Sequence, residues 1–152
     1  MASPSARQLI QAYGISSDTQ LANFARGTGV PLVGIDFAED IDINQDGAYI
    51  INLGDSHIGG THWTGLWIEG NSALYVDSYG VAPEDVLIAK IHAYNADIDL
   101  VYNDGYEFQL YDESLCGMWV LMFFHFMAAT PSHVPLTERF KKMTQRYADT
   151  IS

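Results

Sequence analysis

The order of apolar and polar residues changes period several times along the chain, and each change marks an element. Residues 3–13 have helical spacing, with Ser3 and Pro4 as cap and first turn and Gly14 at the end. A second short helix is expected over residues 17–25. Residues 27–34 read as loop, because glycines and Pro31 interrupt any period. Residues 48–53 predict a strand, and residues 54–60 a polar, flexible loop. Residues 62–68 are rich in β-formers, Glu69-Gly70-Asn71-Ser72 makes a turn, and residues 73–77 return, which defines a hairpin. Residues 83–93 have helical spacing, with Val86, Leu87, Ile88 and Ile91 apolar. Residues 99–102 and 106–110 predict two further short strands. Residues 116–129 are apolar almost all round, which predicts a helix buried on most sides and ended near Pro131. Residues 136–147 form a last, amphipathic helix. Together these elements predict an α+β fold: a small mixed sheet packed on a buried central helix, with flanking helices, in one domain over residues 1–152.

Composition supports a packed domain and narrows its partners. A chain of 152 residues with 48% apolar residues can bury a core without disulfides or metals. The formal net charge is −12, with only seven Lys and Arg, so the surface is expected to repel nucleic acid and anionic membrane. The acidic stretch Glu39-Asp40-Ile41-Asp42 and the basic set Arg139, Lys141, Lys142 and Arg146 read as solvated faces. The first residues lack the apolar core of a signal peptide. The longest apolar run, residues 115–129, is about 15 residues and contains His125, too short for a typical membrane span. These features predict a soluble, intracellular protein.

One cysteine excludes an intrachain disulfide and draws attention to its setting. Cys116 opens the apolar helix, where unpaired amides and the helix dipole favour a thiolate. Gly117 follows and leaves the backbone open to an approaching carbonyl. Asp112 and Glu113 oppose this, since nearby negative charge raises a thiol pKa. Taken alone, Cys116 is better read as a small buried hydrophobe. His62 begins one hairpin strand and Asp77 ends the other, so the two side chains are expected to meet as an orienting pair. Separately they read as a surface histidine and a turn former. Together, upstream of the cysteine helix, they read as a pair.

Gly60-Thr61-His62-Trp63, Val76-Asp77-Ser78-Tyr79-Gly80, Gln109 and Leu115-Cys116-Gly117-Met118-Trp119-Val120 stand in an order and spacing that resembles the adenovirus maturation protease family and the related SUMO-deconjugating proteases. Gln109 lies seven residues before Cys116, which is similar to the adenain spacing. The apolar, aromatic continuation Met122-Phe123-Phe124-His125-Phe126 also resembles the adenain helix. The likeness covers roughly residues 48–131. It implies that Cys116 is the nucleophile, His62 its base, Asp77 the group orienting that base, and Gln109 an oxyanion donor beside the Cys116 amide. It also implies that Trp63, Gly60 and Gly117 border a narrow substrate cleft that favours cleavage after small, Gly-type residues. The implied activity is cysteine endopeptidase, with viral capsid or scaffold precursors as substrates. The implied setting is the virion and the host cytoplasm or nucleus, without secretion. Adenain is activated by a disulfide-tethered peptide and by DNA. With no second cysteine and an acidic surface, neither a tethered peptide nor nucleic acid is expected as a partner here.

No cofactor or metal is expected. His57 and His62 share a Gly-rich loop, but there is no further cysteine and no His-Glu-x-x-His helix. His125 reads as a satisfied core histidine. Asp42-Ile43-Asn44-Gln45-Asp46-Gly47 loosely resembles a calcium loop but has Leu53 where the closing Glu belongs, so it reads as a turn. Other readings are a deconjugase for a ubiquitin-like protein, an acyltransferase with the same Cys–His chemistry, or a non-catalytic binding module on the same fold.

Overall fold

A computed structural model describes residues 18–27, 29–53, 62–77, 81–103, 116–130 and 133–151. The expected helix over residues 3–13 and the expected strand over residues 106–110 lie outside them. The described chain is α+β, with five strands and four helices. In chain order these are α1 (Asp18–Gly27), β1 (Leu32–Phe37), β2 (Gly47–Asn52), β3 (Trp63–Glu69), β4 (Ser72–Val76), α2 (Asp85–Tyr94), β5 (Asp99–Tyr102), α3 (Cys116–Ala129) and α4 (Leu136–Ile151). The strands form one mixed sheet in sequential order. β2, β3 and β4 pair antiparallel, while β1 joins β2 and β5 joins β4 in parallel.

Both faces of the central strands are covered, which is why β2, β3 and β4 are apolar along most of their length rather than alternating with polar residues. On one face Ala48, Ile50, Trp67, Leu74 and Val76 meet α3, with Ala25 of α1 and Leu136 and Met143 of α4 in the same cluster. On the other face Tyr49, Ile51, Leu66, Ile68, Ala73 and Tyr75 meet Leu87 and Ile91 of α2, together with Ala38, Ile41 and Ile43. Lys90 of α2 secures that last segment by donating to the carbonyls of Glu39 and Ile41, at 2.6 and 3.0 Å. In α3, Val120, Leu121, Met122, Phe123 and Phe124 are all buried. Five consecutive residues exceed one helical turn, so the helix is enclosed on every side over this stretch.

The strand β1 corrects the expectation of a loop over residues 27–34. Pro31 lies just before the strand, where its missing N–H disturbs no ladder. Gly34 sits at a register shift against β2, a bulge rather than a break. The turn between β3 and β4 is closed by Gly70, with φ of 61° and its N–H donating to Asp46 at 2.8 Å. The segment that resembles a calcium loop is irregular chain with a bend at Gln45 and Asp46 that leads into β2. Asp46 also accepts from the Tyr94 hydroxyl at 2.7 Å, and Asn44 donates to Asp42 at 3.1 Å.

Candidate functional site

His62 and Asp77 meet. Nε2 of His62 lies 2.7 Å from Oδ1 of Asp77. The sheet register explains the encounter. β3 and β4 pair down to Gly65 opposite Val76, and one further step sets Asp77 opposite Thr64, diagonal to His62. The main chain of His62 is fixed on its other side, where its carbonyl accepts from the Leu53 N–H at 2.9 Å as a continuation of the β2–β3 ladder. Asp77 is fixed by Asn103. The Asp77 N–H donates to Oδ1 of Asn103 at 3.0 Å, and Nδ2 of Asn103 donates to the Asp77 carbonyl at 2.6 Å.

Burial sets the chemistry of the pair. The Asp77 side chain is 2% exposed and that of His62 17% exposed, so water screens the contact little. A carboxylate only accepts hydrogen bonds, so the shared proton belongs to Nε2 in the neutral ring. The basic lone pair is then on Nδ1, which is itself buried. An imidazole held this way can take a proton at Nδ1 and remain stabilised as a cation by the carboxylate. Two residues before Asp77, on β4, burial first of all pushes the Tyr75 phenol well above its ordinary range. Tyr75 therefore stays neutral beside the pair.

Cys116 is the first residue of α3 and Gly117 the second, as the sequence predicts. This helix packs directly on the strand that His62 precedes, with Val120 and Phe123 against Gly65. Trp63 opens β3, is half-buried, and packs against the core cluster that contains α3. Gln109 and Gly60 lie outside the described residues, as does His57. His125 of α3 is half-buried, and burial lowers its pKa, so it is neutral at physiological pH. Among the described residues, no group of three His, Cys, Asp or Glu side chains is placed to hold a metal. No described helix is long and apolar enough to cross a membrane. Two cavities, of about 240 and 470 Å³, both border Arg139 and Glu69 at the opposite end of β3 from His62. Neither cavity is lined by His62 or Asp77.

Asn103 is the site residue that sequence reasoning missed. Its only signal is an Asn directly after a short strand. The meaning of that signal depends on β5 pairing parallel with β4, which no local pattern encodes. No protein-family model matches the chain, and no curated protein matches it in sequence.

Proposed function

We propose that this chain is a cysteine endopeptidase of the viral maturation type, cutting capsid or scaffold precursors after small, Gly-type residues. The observation that carries this reading is the buried 2.7 Å bond between His62 Nε2 and Asp77 Oδ1; α3, which packs on the strand that His62 precedes, begins with the chain's one cysteine. The bond engages Nε2, and Nδ1 is the proposed proton acceptor for the thiol. In the proposed reaction, Nδ1 of His62 takes the Cys116 proton and the thiolate attacks the scissile carbonyl carbon. The new C–S bond moves the carbonyl electron pair onto oxygen, where the Cys116 amide and the Gln109 side chain donate to it. The intermediate collapses, the C–N bond breaks, and the His62 imidazolium protonates the departing amine. Water, deprotonated by the same ring, then hydrolyses the thioester and restores the thiol. The Asp77 carboxylate steadies the imidazolium. Such an enzyme would act in the virion or at the site of particle assembly in the host cell.

Cys116→Ala tests the assignment. The variant is expected to fold as the parent does and to lose cleavage of fluorogenic Gly-Gly-type peptides. Undiminished cleavage would sink the nucleophile assignment. A ubiquitin-like fusion assayed in parallel distinguishes a deconjugase, which would process the fusion and spare the short peptide.

A further inference from the structure

We propose that Asn103 is a positioning residue for the His62–Asp77 pair, a role that rests on the protease reading above. Asp77 is the first residue past β4. The ladder to β3 ends one residue earlier, at Gly65 opposite Val76, and the ladder to β5 ends at Tyr75 opposite Tyr102. Where the β5 backbone stops pairing, the side chain of the next residue continues it. The Asn103 carboxamide has the donor and acceptor of a peptide group. It uses both on a single residue, accepting from the Asp77 N–H at 3.0 Å and donating to the Asp77 carbonyl at 2.6 Å. Holding both groups fixes the peptide planes on either side of the Asp77 Cα, and so the direction in which its carboxylate leaves the chain.

Both residues are 1% exposed, so water cannot easily replace either bond. A carboxylate on an unanchored strand end would sample positions that break a 2.7 Å contact. Displacements of about 1 Å in reacting groups cost on the order of 100-fold in rate. In this role Asn103 acts through Asp77, whose main chain it holds. A strand-end cap with only a stabilising role would lower stability when removed and leave the turnover of the folded enzyme alone.

The test compares Asn103→Leu and Asn103→Asp with the parent, each assayed where thermal melts show it folded. N103L removes both bonds while keeping the same branched side-chain skeleton. Its kcat is expected to fall tenfold or more with KM within twofold. The NMR titration midpoint of His62, followed on the imidazole Cε1–H, is expected to fall as the carboxylate loses its fixed position. In N103D the introduced carboxyl donates to the Asp77 carbonyl only when protonated. The ratio of variant to parent kcat is therefore expected to rise as pH is lowered. Parent-like kcat and an unmoved His62 titration in folded N103L would overturn the proposal. If N103L does not fold, a kcat ratio of one for N103D at every pH would overturn it instead. The His62 titration needs no turnover. A parent that cleaves no peptide therefore counts against the protease reading, while the titration still decides the role of Asn103.

Discussion

At the scale of single residues, the buried carboxylate decides which tautomer of His62 exists. Asp77 Oδ1 accepts from Nε2 at 2.7 Å, and an ionised carboxylate offers no donor in return. Asp77→Asn changes that logic with almost no change in shape. An amide can turn its NH2 toward the ring, which then holds its proton on Nδ1 and cannot take one there. It also removes the charge that steadies the imidazolium, a charge-assisted bond of about 1.5–3 kcal/mol. The expected result is a loss of kcat on the order of 10²–10⁴-fold with little change in KM, read by steady-state peptide cleavage. Iodoacetamide labelling of Cys116 near neutral pH is expected to slow in the same variant. His62 and Asp77 were legible in the sequence because a tight hairpin brings its outer ends together whatever else the fold does. Asn103 was not, because 26 residues separate it from Asp77 and a helical crossover joins them.

At the scale of elements, Gly65 sets how closely α3 can approach the sheet, and on the protease reading that fixes where Cys116 stands. A Cβ at Gly65 would lie 3.1 Å from Val120 Cγ1, 3.2 Å from Val76 Cγ1 and 3.3 Å from Phe123 Cδ1. All three neighbours are buried and packed, so none can yield without moving its own element. Gly65→Ala is expected to cost about 1–3 kcal/mol in urea unfolding, the usual range for overpacking. It is also expected to shift α3 outward, and with it the helix start at Cys116, so kcat falls in protein that is still folded. A variant of parental stability and activity would show that the helix position is not set here. Most elements were readable from pattern. Antiparallel strands with apolar runs and a turn between them announce themselves, and so does a helix without a polar face. β1 escaped because its Pro and Gly are the residues that ordinarily end structure. A parallel edge strand reached by a short loop tolerates both, at its start and at a bulge.

At the scale of the whole molecule, the end of the sheet opposite the His62–Asp77 pair is closed by one ion pair that ties the C-terminal helix to it. Arg139 of α4 is not on a solvated face, as its place in the basic stretch suggests, but 1% exposed; it donates through Nη1 and Nη2 to the Glu69 carboxylate and through Nε to the Val134 carbonyl. Trp67 adds a longer indole N–H contact to the same carboxylate, at 3.4 Å. Glu69 and Arg139 are 70 residues apart in sequence, so this fork–fork contact joins the end of the central strand β3 to the C-terminal helix. The partners differ in exposure, and this decides which substitution hurts more. The Glu69 side chain is 38% exposed and regains water readily, whereas the guanidinium is enclosed and keeps its charge. Glu69→Gln, which preserves shape but leaves that buried charge without its counter-ion, is expected to cost about 1–3 kcal/mol. In a domain of this size that lowers Tm by roughly 2–4 °C for each kcal/mol. Amide exchange is expected to quicken in α4 before it does in β2 and β3, because the helix loses its anchor while the ladders do not. β3 has seven residues, which places Glu69 about 20 Å from the His62 end of the strand. The kcat of folded E69Q is therefore expected to match the parent. A fall in kcat at unchanged Tm would mean instead that α4 and the site are coupled through the sheet, and that the molecule does not separate its anchoring end from its reactive one.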